Sequence, residues 1–492
     1  MAKPVIKENE LNISIKESFK RWTLNYTDIV SNSNKYYNIE LIQGSDDKIY
    51  LYTVYGRVGA SGVKEYRVCL DKNDGEKEAE KIIKAKSKKG YQEVKLVAAS
   101  VGSDIGKSKI ENNVISESDA KKIGFSIKEE SRSNLNIEVQ NLVKSWFGSI
   151  EQFVINTMDT SKCALGQLSL EQINKGRDLL LEARKIVLAG AKDITTLNNI
   201  SSKYYSNIPM NFGNKKLKTD ELRFDTNDKL DKAFDILDTL QNAKDAEKVL
   251  IKKNAIDEQY ASLNTPIEVL DKKDPLYKWI DILFHKTRAS NHNFLGKMKI
   301  NNIFKLSRES EYKDYISMVE NMANKNQSRE DIPDMLKPIW NNRPLENKIY
   351  EELCYKSNII PLFHGTRTAN FPKILSSKLM MRKPGFTVAG AMYDGEGGLY
   401  FGFSSKAINY SSMAGSYWSG GNSEKGYLFL SDVALGKQKI ANGAYPFTLK
   451  NINPNMSVWA KGGKSGVIND EFIVFTEKQN WLRYIIEVSN ER

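Results

Sequence analysis

Along these 492 residues the spacing of apolar side chains changes twice, and no single layer of secondary structure satisfies all three patterns. From about residue 20 to 100, "YYNIELIQG", "KIYLYTVYGRVGASG" and "KEYRVCL" alternate with the two-residue period of strands, between Gly, Ser and Asp turn clusters. A small antiparallel sheet is expected there. "DGEKEAEKIIKAKSKKGYQEVKLV" follows, where Ala79, Ile82, Ile83 and Lys86 read as a short helix ended by Gly90 and leading into another strand. From about 134 to 255 the period becomes helical, in "LSLEQINKGRDLLLEARKIVLAGA" and "TNDKLDKAFDILDTLQNAKDAEKVL", with Ser169 placed as a cap and Gly190 as a stop. Beyond Asp274 the runs "KINNIFKLSRE", "IIPLFHGTR", "GGLYFGF", "KGYLFLSDVALG" and "DEFIVFTEKQNWLRYIIEV" are short and β-rich, with glycines between them. Three packed regions follow from this, joined by a polar stretch from Ala99 to about Ser133 that reads as a linker.

Composition narrows the function classes. Cys69, Cys163 and Cys354 lie far apart, with no C-x-x-C spacing, so neither a zinc cluster nor a disulfide framework is expected. The start "MAKPVIKENELNISIK" has no apolar signal core, and no run of about 18 apolar residues occurs, so an intracellular protein that does not span a membrane is expected. The net charge of +12 points to a polyanion only where lysines cluster. They do between Lys81 and Lys95, with six lysines against one acid, Glu93.

Several motifs fail. "KGGKSG" would need a glycine at Val458 to make a phosphate-binding loop, and "GEGG" at Gly395 to Gly398 lacks dinucleotide-fold spacing. His285 and His292, seven apart with no third ligand, read as structural histidines. In "PLFHGTRTAN", His364 has no metal ligand, serine nucleophile or cysteine beside it.

Taken together, "FHGTRTANFPKIL", "GGLYFGFSSKAINY", "SDVALGK" and "NDEFIVF" resemble, in order and spacing, the catalytic domain of the poly(ADP-ribose) polymerase family. "ALGQLSLEQI" and "YYSNIPMNFGNKK" look like that family's helical regulatory domain, and "VYGRVGASG" with "KKGYQEV" looks like its WGR domain. The chain is similar to the short, DNA-dependent members that have only these parts. The resemblance implies a multidomain α+β protein: an N-terminal tail (1–20), a small antiparallel β WGR domain (21–105), a linker (106–133), an all-α regulatory bundle (134–258) and a mixed α+β ADP-ribosyltransferase domain (259–492).

The resemblance also implies site residues. His364 would hydrogen-bond the adenosine ribose of NAD+, and the Gly365 backbone would grip the nicotinamide carboxamide, with Thr366 counted among the NAD+-binding residues. Tyr400 and Tyr410 would sandwich the nicotinamide ring. Glu471 would hydrogen-bond the nicotinamide ribose, stabilise the oxocarbenium-like transition state and polarise the acceptor. Lys406 would contact the acceptor or ribose region. Two positions depart from the family pattern. Ala407 stands where a serine commonly holds the nicotinamide amide, so one hydrogen bond of about 1 kcal/mol is missing. Met380 stands where an adenosine-contacting arginine is common, with Arg382 a candidate substitute.

In the N-terminal module Tyr55 takes the place of the motif's tryptophan. It would stack on an exposed terminal sugar or base, Arg57 would reach a phosphate, and Lys84, Lys86, Lys88 and Lys89 would add salt-dependent affinity. The helical domain would act as a lid released by DNA. The implied function is DNA-break-activated transfer of ADP-ribose from NAD+, as substrate and without a metal, to protein acceptors including itself, with chain extension to poly(ADP-ribose). The alternatives are a DNA-end-binding protein with little catalysis, and a mono-ADP-ribosyltransferase acting on protein or nucleic-acid ends. DNA ends or nicks are the expected partners, with a monomer in their absence. The compartment would be cytoplasm or nucleoid in a bacterium and the nucleus in a eukaryote.

Overall fold

A computed structural model describes residues 3–11, 13–57, 62–94, 133–157, 168–190, 193–210, 212, 218–250, 255–289, 298–324, 332–340, 342–345, 347–381, 398–413, 423–441, 443, 449–452, 456–465 and 467–491. The chain divides into two compact units, Met1–Glu130 with Glu151–Lys253, and Ser131–Ile150 with Asn254–Arg492.

The first unit contains a six-stranded antiparallel sheet of β1 (Ile6–Lys7), β2 (Ile15–Asp28), β3 (Ser33–Gly44), β4 (Ile49–Arg57), β5 (Val63–Cys69) and β6 (Gln92–Glu93), in the order β1-β5-β4-β3-β2-β6. Alternation along β3 and β4 sends Tyr37, Ile39, Leu41 and Leu51 to one face, where Ala79, Ile82 and Ile83 of helix Lys72–Ser87 cover them. Asp71 caps that helix by accepting from the Asp74 amide, and Gly90, at φ +86°, turns the chain into β6. On the other face Ile6, Leu11 and Ile13 pack against Tyr50, Tyr52 and Tyr66. The first twenty residues therefore contribute β1 and the start of β2.

Helices Leu170–Leu188, Ile194–Asn207 and Asn227–Leu250 complete this unit. Ser169 accepts from the Gln172 amide at the first N-terminus, and Gly190 adopts φ +67° beyond its end. Ile173, Leu180, Ile200, Tyr204, Phe234 and Leu237 share one core with Ile29 and Val94 of the sheet region. Polar contacts close the seam, because Asn25 Nδ2 donates to the carbonyls of Tyr205 and Ser206, and the Thr27 amide donates to Ser206 Oγ at 2.7 Å. These bonds give the buried Asn25 side-chain nitrogen and the Thr27 amide acceptors on the facing helix.

The second unit is built on a nine-stranded sheet, in the order β12-β13-β14-β10-β9-β11-β15-β8-β7, antiparallel except between β12 and β13. Its strands are β7 (Ile267–Val269), β8 (Met298–Leu306), β9 (Ile359–Gly365), β10 (Leu399–Gly402), β11 (Lys425–Ala434), β12 (Gln438–Ala441), β13 (Ser457–Ala460), β14 (Glu471–Val474) and β15 (Asn480–Asn490). The central strands β9, β11 and β15 are buried along almost their whole length, and their near-continuous apolar runs reflect cover on both faces. Helix Ile137–Thr157 divides between the units, and its residues up to Ile150 belong here. Trp146 stacks on Phe371 at 5.4 Å and meets the edge of Tyr427, whose hydroxyl donates to Ser145 Oγ at 3.0 Å.

Beneath β11 lies a buried ionic cluster. Asp432 receives two hydrogen bonds from Arg343, one from Arg483 and one from the Tyr350 hydroxyl. Burial opposes the charge on Arg343, but Asp432 outweighs it and holds the guanidinium above its ordinary range. Trp279 and Trp340 flank the same guanidinium at 5.4 and 5.7 Å. No helix among the described residues is long and apolar enough to cross a membrane.

Asp432→Ala would leave two buried guanidinium groups without their carboxylate. It is expected to lower the stability of this unit by about 3–5 kcal/mol, read by urea unfolding. A loss below about 1 kcal/mol would show that the cluster does not anchor β11.

Candidate active site

The site is assembled by register. β10 pairs with β14 so that Tyr400 faces Ile473 and Gly402 faces Glu471, while Gly402 also faces Phe363 of β9. His364 and Gly365 thus end one strand, Tyr400 lies on its neighbour and Glu471 begins the next. After β10 the chain turns into helix Ser404–Ile408, which brings Lys406 back over the strand ends.

The Lys406 ammonium forms an ion pair with Glu471 Oε1 across 65 residues of sequence. Burial alone would depress the lysine, but Tyr410 and Glu471 outweigh it and raise its pKa above the ordinary value. The ammonium also lies 5.7 Å from the centre of the Tyr410 ring. Gly402 makes room for the lysine stem, since a Cβ there would stand 3.0 Å from Lys406 Cγ.

Gly365 is required more strictly. A Cβ at that position would lie 1.7 Å from the Ala407 carbonyl oxygen, so any side chain would force β9 and helix Ser404–Ile408 apart. The close approach at this point is backbone against backbone.

His364 Nδ1 lies 2.9 Å from the Tyr400 carbonyl, which can only accept, so Nδ1 carries the proton. Burial lowers the imidazole pKa, with the Tyr400 carbonyl opposing, and a neutral ring presents Nε2 as an acceptor. The Tyr400 side chain packs against a cluster that includes Val458, Ile473 and Phe475. Thr366 Oγ1 accepts from Asn370 Nδ2 at 2.8 Å, so its hydroxyl is engaged within its own turn. Ala407 is buried, and Met380 is 52% exposed.

His364, Gly365, Tyr400, Lys406, Tyr410 and Glu471 are therefore brought together. Arg382 and His292 lie outside the described residues. The direct pairing of Lys406 with Glu471 was missed from sequence, because nothing local to either residue signals it. Asp470 was passed over beside Glu471, although "NDE" displays two adjacent acids. It fastens the loop before β14 by accepting from the Gly462 amide at 2.8 Å. Among the described residues no group of three or more His, Cys, Asp or Glu is placed to hold a metal ion.

The candidate nucleic-acid residues form a second, separate group. Tyr55 stacks on Tyr37 with ring centres 4.9 Å apart, and its hydroxyl donates to Glu65. Arg57 donates to the Asn32 carbonyl and to Asn32 Oδ1, at 2.8 and 3.0 Å. Lys84, Lys88 and Lys89 are exposed around the helix end. Lys86 differs, because its ammonium sits 3.9 Å from the Tyr37 ring centre and burial, reinforced by Lys89, lowers its pKa.

Comparison with known proteins matches three family models in order: a WGR domain over residues 20–97, a poly(ADP-ribose) polymerase regulatory domain over 133–274, and a poly(ADP-ribose) polymerase catalytic domain over 276–467. Among similar curated proteins, a poly [ADP-ribose] polymerase of Sarcophaga peregrina is 24% identical over 95% of this chain and 45% of its own length. Poly [ADP-ribose] polymerase 1 of Danio rerio is 26% identical over 95% of this chain and 44% of its own length. Protein mono-ADP-ribosyltransferase PARP3 of Homo sapiens is 27% identical over 95% of this chain and 87% of its own length. The chain thus spans less than half of the first two relatives. The order of the three domains is the order in which the apolar period changes, and the strand ends that meet at Glu471 lie where the catalytic model matches or immediately beyond it. This chain belongs to the poly(ADP-ribose) polymerase family and carries that family's catalytic domain.

Proposed function

We propose that this protein transfers ADP-ribose from NAD+ to protein acceptors, itself included, when it meets DNA ends or nicks, and that it extends the first unit into polymer. The observation that carries this reading is the convergence of His364, Tyr400, Lys406 and Glu471 from segments up to 107 residues apart onto neighbouring strand ends. Breaking the nicotinamide–ribose bond develops positive charge on the ribose. Glu471 is the carboxylate for that charge: Oε1 holds Lys406, and Oε2 serves a ribose hydroxyl. His364, neutral with Nε2 as acceptor, receives a hydroxyl of the adenosine ribose and moves no proton in the reaction. Tyr400 and Tyr410 hold the nicotinamide ring, and the Gly365 backbone its amide.

On this reading residues 21–105 bind the break through Tyr55, Arg57 and the exposed lysines, and the bundle at 134–258 restrains the catalytic domain until they do. Lys86 contributes by backing Tyr37 and Tyr55 rather than by meeting a phosphate. A second reading, transfer of a single unit, is favoured by the similarity to a relative named as a mono-ADP-ribosyltransferase over 87% of that relative's length.

The test is to incubate the purified chain with labelled NAD+, with and without DNA bearing a 5′-phosphorylated nick. Labelled protein is expected, increased by the DNA, and Glu471→Gln should slow labelling by about 10²-fold or more. Equal labelling without DNA would remove the switch and leave the chemistry. No label under any condition would overturn the transferase, whereas label on the DNA would move the acceptor to nucleic acid.

His364 sets a pH dependence. Burial makes the native ring take up its proton at lower pH than the unfolded chain, whose ordinary value is about 6.5, so stability is lost as pH falls through that range. Between about pH 7.5 and pH 5.5 the wild type should lose urea resistance more steeply than His364→Gln. Parallel losses would show that His364 is not held neutral.

A further inference from the structure

A cavity of about 170 Å³ is lined by Lys406, Asp470, Asn469, Phe403, Ile468 and Met335 among others, and so adjoins the ion pair of Lys406 with Glu471. Three properties bear on its occupant. Its size is well under the roughly 300–1,000 Å³ that a drug-sized ligand takes, which suits one long side chain better than a nucleotide unit. Its rim is apolar and open, with Ile468 77% and Met335 39% exposed. Its charged lining is one cation and one anion. Lys406 and Asp470 are the charged side chains of the described lining, and Lys406 is already neutralised by Glu471.

Asp470 is held in place by the Gly462 amide on Oδ1, and a carboxylate retains further acceptor capacity on its other oxygen. Lysine and arginine have the complementary form: an aliphatic stem to lie along Ile468 and Met335, and a cationic head for Asp470. The nearby Lys461 places its ammonium over the Trp459 ring, 4.3 Å from the centre, and keeps its charge there.

We infer that this cavity binds a basic side chain of the acceptor polypeptide next to the residue being modified, with Asp470 as the specificity-determining group. The inference rests on the transferase reading above and adds to it a choice of acceptor. For the first, protein-linked transfer, a segment rich in Lys or Arg is preferred over an acidic one.

The experiment uses the full chain with nicked DNA, labelled NAD+ and two peptides of about fifteen residues with the same Ser and Glu acceptors, one with interspersed Lys and one with Gln at those positions. The Lys peptide is expected to react with about fivefold higher kcat/KM, as suits an accessible ion pair, and the advantage should shrink with salt. In Asp470→Asn the Gly462 amide keeps its acceptor while the charge is gone, so the ratio should fall to about 1. Equal labelling of the two peptides by the wild type overturns the inference. So does a preference that survives in Asp470→Asn, because recruitment of Lys peptides by the DNA would survive that change. Self-labelling without peptide preference overturns this inference alone, whereas no label on peptides or chain overturns the transferase with it. Because the ratio is taken within each enzyme, a general loss of activity in the variant does not mimic the expected result.

Discussion

Four residues of β10, Leu399–Gly402, hydrogen-bonded between β9 and β14, are the constraint on which the candidate site depends. Their register puts Gly402 opposite both Phe363 and Glu471, and the Tyr400 carbonyl orients the His364 ring. The helix that follows returns Lys406 to Glu471 past Gly402, where a Cβ would crowd the lysine stem, and it can lie against β9 only because Gly365 has no side chain. A one-residue slip of this short strand would turn Tyr400 to the opposite face and separate all four groups.

Such a strand is too short to hold its own register, so the surroundings must do it. β11 and β15 supply a long paired platform, and Asp432 ties β11 to Arg343, Arg483 and Tyr350 below it. The cluster is charged yet buried, which makes it sensitive to loss of any one partner and gives it a specific geometry. "SDVALGK" is thus as much a structural anchor as a family marker. Residues up to Ile150 of helix Ile137–Thr157 belong to the same unit through Trp146, so the boundary between helical and catalytic parts in the sequence does not coincide with the boundary between compact units.

Much of this organisation was legible. The two-residue alternation of "YYNIELIQG" became β3, the cap at Ser169 and stop at Gly190 bound a real helix, and each β-rich run after Asp274 became a strand, except "DEFIVFTEKQNWLRYIIEV", which became two. His364, Tyr400 and Glu471 were found through motif resemblance, since each alone is an ordinary residue in an ordinary strand. The partner of Glu471 was not legible. Neither was the internal engagement of Arg57 with Asn32, nor the inward turn of Lys86 within a run of otherwise exposed lysines.

Periodicity, caps and turn glycines are local properties, decided by which side chains must leave water within one element, so element types and apolar faces could be read along the chain, whereas the three expected regions pack as two units because the N-terminal sheet and the helices share one core. Contacts between elements distant in sequence depend on register and on how closely two backbones approach. Only the tertiary structure decided that Lys406 neutralises Glu471, that Gly365 is required by the Ala407 carbonyl, and that Asp470 is left as the carboxylate at the mouth of the neighbouring cavity. The physical reason is that an ion pair or a clash is set by a few ångströms in space, and separation along the chain carries no measure of that distance.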